Sequence, residues 1–563
     1  MVPKFQVCRI VCDNNLDNIA ELYQHLKYFV KVEPYNEYIH DNTIPTLLVG
    51  YDKAKELYPT RIATQKQISI NLSWTNNLES DRAVFISVVQ TFIKRSFRSF
   101  LNDDNIISVD PLYDNIDEIQ QSIPQNENIS IHHNNSHITI SFNDETSMIF
   151  NVGSAQLFAN QIQKSYYDLI ISILTSNYVI TWDAEYSLCM DNNNVVLRDY
   201  YWIKHKKDIE IKDIFKTIKN ITKFNIDGHY AYIIRKMYCS IEQNEIDSNI
   251  LDGNELKFIK MMKKVHNVTE YLNSSEIKID ENVLNSVDLD QNSIRIASKI
   301  KKNINNSYIK SSYDCRKVPS GRISTKRGSP IDLIGLPKKS NLMKCFVSEF
   351  KNGIIISADH KNYEPRLCAY SSGNEKIIGI VEKDDAYIHA SNILFGKRNR
   401  RYDAKIILNS LIYGSNNLET HVKKHHTENI NGLEELWEIW SPVKKLKTEM
   451  EGSATPNYDG TFSFVNGFDR IITVDSRHKI FNQYIQSIAA DVVIEQMFDL
   501  IKNLDSLNSH ILYQKYDEII FDVDNSEKDY VLKLIRDIMS KQRKYVKRFC
   551  INIKSGNSLA DFN

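Results

Sequence analysis

The sequence predicts an α+β chain with more than one domain, and three stretches carry that expectation. ISIHHNNSHITISF (129–142) alternates apolar and polar residues with period two, as strands do. ELKFIKMMKKVHNVTEYLN (255–273) sets Leu256, Ile259, Met262, Val265 and Leu272 on one helical stripe beside Lys257, Lys260, Lys263 and Lys264. GIIISADHKNYEPRL (353–367) opens on an apolar run that fits a buried strand. With 563 residues, 42% of them hydrophobic, the chain can close several cores.

Along the chain, residues 1–204 read as an accessory domain of mixed α and β character and unknown fold, with a helical pattern in AQLFANQIQKSYYDLIISILTS (155–176). From 205 the pattern turns helical. No apolar run approaches the roughly 20 residues that span a bilayer, and MVPKFQVCRIVCDNN holds no signal-like apolar core. The expectation is a cytoplasmic protein with no membrane partner. The eight cysteines lack the paired spacings of a zinc ribbon, so reduced thiols are expected. His421, His425 and His426 have no third ligand or HExxH glutamate, which favours solvated histidines over a zinc site.

The net charge of -1 hides an asymmetry. Residues 101–150 carry nine Asp or Glu and no Lys or Arg, while 301–345 carry eleven Lys or Arg and two Asp. A basic stretch is most often a solvated face, but this one includes Arg322, Lys326 and Arg327 just ahead of the chemical motifs and suits a polyanion.

Asp359 sits where the apolar strand of 353–358 would emerge, a place that holds a carboxylate rigidly beside solvent. ILYQKYDEIIFDV (511–523) reads as two strands joined by a tight turn carrying Asp517 and Glu518. Nucleotidyl transfer uses two Mg²⁺ ions about 4 Å apart, so carboxylates from different strands must converge. Asp359 and Asp517 are the candidates to hold them, with Mn²⁺ as an admissible substitute. Between them, RYDAKIILNSLIYG (401–414) forms a helix with Arg401 and Lys405 one turn apart, a spacing that matches a triphosphate. Each piece alone is more often structural; their order is what carries weight.

SADHKNYEPRL, RYDAKIILNSLIYG and YQKYDEIIFDV resemble, in that order, motifs A, B and C of the A-family (bacterial polymerase I-like) DNA polymerases. SGRIST (320–325), IDLIGLP (331–337), IHASNILFG (388–396), FNQYIQSIAAD (481–491) and INIKSGNSLADFN (551–563) resemble supporting segments of the same family. The resemblance implies a right-hand polymerase with palm, fingers and thumb: a thumb-like helical region over 205–315, palm over 316–372 and 470–563, and fingers over 373–469. By position it implies that Asp359 and Asp517 bind the metals, with Lys405 and Glu518 as further catalytic residues. Arg401, His389, Glu364, Asn409 and Tyr413 would bind the nucleotide, and Arg322, Asn482, Gln486, Gln514, Lys326 and Arg327 the DNA. Glu364 matches the residue that excludes a ribose 2′-hydroxyl, and Arg366 one that organises the palm.

His360, Lys361, Pro365, Asn409 and Tyr516 depart from the family pattern, which bears on sugar selection and the primer end. The segment between His389 and Arg401 is short, and no counterpart of the helix that follows motif B is evident. WDAEYS (182–187) matches only the first carboxylate pair of a 3′ to 5′ exonuclease, so proofreading is not expected. The expected partners are a DNA template and primer, single-stranded DNA and dNTP. The chain also resembles the A-family polymerases of staphylococcal cassette chromosome replication modules, which implies primer synthesis beside a small accessory protein and a replicative helicase. The alternatives are a catalytically silent DNA-binding scaffold and a polymerase that uses ribonucleotides.

Overall fold

The computed structural model describes residues 8–12, 30–34, 46–49, 67–70, 92, 94, 96, 106–109, 128–133, 137–142, 147–151, 177–181, 195–199, 211–222, 229–245 and 253–562, the last apart from 415–429, 458–459 and 545. The chain divides into two compact units, Met1–Asp252 and Gly253–Asn563. Among the described residues no helix is long and apolar enough to cross a membrane.

The first unit holds two sheets. A four-stranded sheet runs Val30–Pro34, Cys8–Cys12, Thr46–Val49, Gln67–Ile70, every neighbouring pair parallel. A six-stranded sheet runs Val195–Val196, Tyr178–Thr181, Asn128–His133, His137–Ser141, Ser147–Asn151, Ile106–Val109. Its strands Asn128–His133, His137–Ser141 and Ser147–Asn151 form an antiparallel meander, and the outer strands join in parallel. The alternation read in 129–142 is therefore a hairpin, with Ile129, Ile131 and Ile140 buried. Ser130 and Thr139 are buried as well, because the helix Tyr230–Glu245 covers them. Ser130 Oγ donates to the Ala231 carbonyl (2.6 Å), and the Ala231 N–H donates to Thr139 Oγ1 (3.2 Å). Each buried hydroxyl thus has a partner, without which its desolvation would cost stability. The helical pattern of 155–176, the WDAEYS segment and His421, His425 and His426 lie outside the described residues.

The second unit is organised by a four-stranded antiparallel sheet in the order His510–Lys515, Glu518–Val523, Ile354–His360, Ile551–Gly556. Ile354–His360 pairs on both edges, and Ile355, Ile356 and Ala358 are fully buried, which is why its sequence is a continuous apolar run. The helix Ile480–Leu504, buried along most of its length, packs against helices Tyr363–Ser372, Lys528–Met539 and Gly253–Ser274. On Gly253–Ser274 the buried stripe includes Phe258, Met261 and Val268 besides the expected Met262, Val265 and Leu272, while Ile259 is only half-buried. Lys264 from the basic side of that helix pairs with Glu495 at 2.5 Å.

A second helical cluster packs Ala386–Phe395, Arg401–Tyr413 and Ile430–Ser453 together. Asp385 caps the first of these, accepting from the Tyr387 and Ile388 N–H groups. Gly414 ends the second in the left-handed region at φ 69°, and Lys447 Nζ donates to the Tyr413 carbonyl (2.7 Å), satisfying a terminal acceptor.

The helices Ile211–Thr222 and Tyr230–Glu245 fall in the first unit, where the six-stranded sheet buries Ile233, Ile234 and Met237. A fragment starting at Gly253 is therefore expected to unfold cooperatively by itself. A fragment starting at 205 would expose that apolar face and aggregate more readily. Calorimetry and light scattering on both fragments check this, and a Gly253 fragment with no cooperative transition would overturn the division.

Candidate active site

Antiparallel register builds the site. Asp359, one residue from the end of its strand, lies opposite Glu518, the first residue of the neighbouring strand. Lys515 pairs with Glu518, which leaves Tyr516 and Asp517 as a two-residue hairpin turn. The His360 N–H donates to the Asp517 carbonyl (3.4 Å) and ties that turn to the end of the Asp359 strand. Asp359, Asp517 and Glu518 thus meet at one end of the sheet.

Their charges are incompletely balanced. Burial pushes the Asp359 carboxyl up to about 7, with Asp517 and Glu518 adding to the rise and Lys338 and Lys405 opposing it. Burial also raises Asp517; Glu364 adds to this, and Arg322 and Lys405 oppose it. Glu518 is turned toward other partners: Ser357 Oγ donates to its Oε1 (2.6 Å) and Lys338 Nζ to its Oε2 (3.1 Å). Among the described residues, the His and acidic group whose possible ligand atoms all lie within 4.8 Å is a different one, Glu349, His510 and Asp522. It sits at the far end of the same strands, where Asp522 pairs with Ile355, and Asp522 already accepts from Ser348 and the Glu349 N–H. The Ser357 and Lys338 bonds occupy both oxygens of Glu518.

Beside these carboxylates, Glu364 stands in the first turn of the helix Tyr363–Ser372. Arg322 Nη2 donates to its Oε1 (3.1 Å) and the Tyr413 hydroxyl to its Oε2 (3.0 Å). Pro365 follows in the same first turn, where a missing N–H breaks no helical bond. His360 faces the core: it is buried, stacks on Tyr363 and bonds Gln496 Oε1 through Nε2 (2.8 Å). Burial lowers it to about 4, so it stays neutral. Arg366 is buried and donates to the carbonyls of Arg548 and Val381, tying its helix to flanking segments.

Arg401 and Lys405 both lie over the Tyr387 ring, at 5.0 and 5.5 Å from its centre. Arg401 pairs with Asp385 (2.9 Å), and the Tyr387 hydroxyl donates to Asn409 Oδ1 (3.4 Å). His389, on the adjoining helix, is shifted down by burial, with Asp384 and Glu435 opposing that shift. Gln514 Nε2 donates to the Tyr516 carbonyl. The Gln514 Oε1 and Asn482 Oδ1 atoms are buried without a partner among the described residues. Asn482 and Gln486 are half-buried one turn apart on Ile480–Leu504, and Lys326 and Arg327 are exposed after the strand Ser324–Thr325.

Sequence reasoning missed Lys338, Ser357, Asp385 and the support behind Gly321. Gly321 has φ 68°, and a Cβ there would come within 1.6 Å of Arg470 Nη2. Arg470 is buried and paired with Asp491 at 2.5 Å. The Gly of SGRIST therefore lets the backbone lie on a buried guanidinium and delivers Arg322 to Glu364.

An α+β unit with convergent carboxylates at one end of an antiparallel sheet and two cations on a facing helix defines the class. The sequence profile of DNA polymerase family A matches residues 248–561, more than half of the chain, and the chain belongs to that family. The DNA polymerase I of Lactococcus lactis is 27% identical over 232 residues, 37% of this chain and 26% of that protein. The thermostable DNA polymerase I of Thermus filiformis is 22% identical over 238 residues, 39% of this chain and 28% of that protein. The chain thus matches about a quarter of the length of these relatives. The solved POL domain of Pol1 from M. smegmatis, in complex with DNA primer-template and dNTP, shares the fold with a TM-score of 0.57 at 12% identity, covering 81% of this chain and all of that one. The right-hand polymerase fold expected from the sequence is consistent with this likeness.

The raised Asp359 carboxyl has a consequence for stability. An acid whose folded-state value lies above its ordinary one keeps its proton in the native state after the unfolded chain has lost it. Its favourable contribution is present below the ordinary carboxylate range and is lost as pH climbs toward 7. In a chelator, Asp359→Asn should raise stability at pH 8 by about 0.5–2 kcal/mol and have little effect at pH 4. Thermal melts at both pH values test this, and a lower Tm for the variant at pH 8 would refute the charge imbalance.

Proposed function

We infer that the chain is a template-directed DNA polymerase. It transfers a deoxynucleotidyl group from a dNTP to a primer 3′-hydroxyl by a two-metal mechanism, without proofreading. The observation that carries this reading is the meeting of Asp359, Asp517 and Glu518 at one sheet end, where burial and the neighbouring acids raise Asp359 in spite of Lys338 and Lys405. That excess of negative charge suits divalent cations, and the oxygen-only donors suit Mg²⁺, with Mn²⁺ as a substitute. Asp359 and Asp517 would hold the metal. When bound, it would supply activation of the 3′-hydroxyl and neutralisation of triphosphate charge.

The chain's own residues divide the rest of the work. Lys405 and Arg401 hold the triphosphate with His389, and Glu364 stands against the sugar, positioned by Tyr413. Asn409 lies beside them, bonded by Tyr387. Gln514 and Asn482, each with a buried amide oxygen left without a partner among the described residues, face the DNA with Gln486 and Arg322, and Lys326 and Arg327 meet its backbone. In these terms 253–315 acts as thumb, 316–372 and 470–563 as palm and 373–469 as fingers; the helices of 211–245, expected from the sequence in the thumb, belong instead with the accessory unit of 1–252. The finer reading is primer synthesis in a mobile-element replication module, beside a small accessory protein and a helicase. It rests on the sequence resemblance and is tested by assays without a primer.

Asp359→Ala or Asp517→Ala should cut nucleotide incorporation by about 10³-fold or more, equivalent to about 4 kcal/mol, with a much smaller effect on DNA affinity. Single-turnover primer extension measures the first and filter binding the second. Near-normal incorporation by either variant would overturn the assignment of that carboxylate to catalysis, whereas no incorporation by the parent chain would favour a silent DNA-binding scaffold.

Glu364→Ala should improve ribonucleotide use relative to deoxynucleotide use by roughly 10- to 200-fold, the worth of one pocket contact. The ratio of kcat/KM values for the two sugars reads this directly, and an unchanged ratio would mean that Glu364 does not select the sugar.

A further inference from the structure

Tyr516 occupies a position that its backbone does not suit. In the two-residue turn between Lys515 and Glu518, the first residue has φ 60° and Asp517 is not among the residues of positive φ. Positive φ at the first turn residue alone is the pattern of a type II′ hairpin, where Gly is preferred. A bulky aromatic there is strained, and strained residues gather where a side chain is put to use. Packing does not explain the ring, because Tyr516 is 56% exposed. Among the described residues its ring meets the Arg322 guanidinium, 5.9 Å from the ring centre, and the same guanidinium donates to Glu364 Oε1 at 3.1 Å. Glu364 is therefore held from two sides, by Arg322 on one oxygen and by Tyr413 on the other. Tyr413 is fixed by its helix and by Lys447 on its carbonyl, whereas Arg322 is a long side chain that needs a seat.

We propose that Tyr516 is a positioning residue for sugar selection: its ring seats Arg322, and Arg322 holds the Glu364 carboxylate in place against the incoming sugar. This rests on the reading of Glu364 given above. The chain of contacts runs from the turn that presents Asp517 to the pocket that selects the sugar, so one hairpin sets both. Without the ring, Arg322 gains rotamers and its bond to Glu364 is made for less of the time, which lets Glu364 swing off the position of a 2′-hydroxyl.

The test compares Tyr516→Gly, Tyr516→Phe and Glu364→Ala in the full-length chain. Gly relieves the turn, so Tyr516→Gly should melt no lower than the parent. It should nonetheless raise ribonucleotide kcat/KM relative to deoxynucleotide by about 3- to 10-fold, less than the effect of Glu364→Ala. Tyr516→Phe, which keeps a ring under the guanidinium, should restore most of the lost discrimination. A turn residue with a purely structural role would move the Tm and leave the sugar ratio alone. If Glu364→Ala shifts the ratio and Tyr516→Gly does not, the proposal is overturned and the Glu364 reading stands. If neither variant shifts it, both are overturned.

Discussion

The structure depends on the antiparallel pairing of Ile354–His360 with Glu518–Val523, because this register brings like charges together. Asp359 faces Glu518 across the ladder, and the hairpin turn adds Asp517 beside them. Left to electrostatics the three would separate. What holds them is the apolar remainder of the same strands: Ile355, Ile356, Ile519, Phe521 and Val523 are fully buried, on both faces of the sheet. Apolar burial thus supplies the free energy that keeps the carboxylates close, and the site stores part of it as a raised Asp359. A stable sheet carrying an unfavourable corner is the arrangement expected where residues are selected for chemistry rather than for folding.

The same logic extends to the shell around the corner. Buried Arg470 is neutralised by Asp491 and in turn shapes the path of Gly321. Asp491 is itself raised to about 6 by burial, even with Arg470 beside it. A buried pair of this kind adds little net stability, but breaking it by removing one partner is costly. Its value here is geometric, since it fixes a stretch of backbone that would otherwise be a free loop and so sets where Arg322 begins.

How much of this was legible in the sequence follows from how local each signal is. The Asp359 strand, the 511–523 hairpin and the Arg401 helix were readable because a few adjacent residues set their period and their turns. The strand alternation of 129–142 was readable for the same reason, although the turn that makes it a hairpin was not read. Contacts between distant segments left no such trace. Lys338 meets Glu518 from 180 positions away, and Arg470 reaches a glycine far upstream of it. The role of His360 was also hidden, because nothing local tells whether a polar residue at a strand end turns to the solvent or, as here, to Gln496 in the core. The stripe on Gly253–Ser274 was placed on the right helix but too narrowly: Phe258, Met261 and Val268 are buried as well, on a helix covered by Ile480–Leu504 and by strand segments that periodicity does not show.

The cations on the helix Arg401–Tyr413 follow from the same balance of charge. Arg401 is paired with Asp385, yet both side chains are partly exposed, so the pair is worth at most about 1 kcal/mol. Asp385 does not depend on it. Its Oδ1 already accepts from the Tyr387 and Ile388 N–H groups as the cap of its helix, so the carboxylate stays satisfied if the guanidinium leaves. In the proposed function, a triphosphate would therefore trade with Asp385 at little cost, and Arg401 would arrive already ordered over the Tyr387 ring beside Lys405. A cation held loosely by a partner that can release it is better prepared for a polyanion than a free side chain, whose rotamer entropy would be lost only on binding.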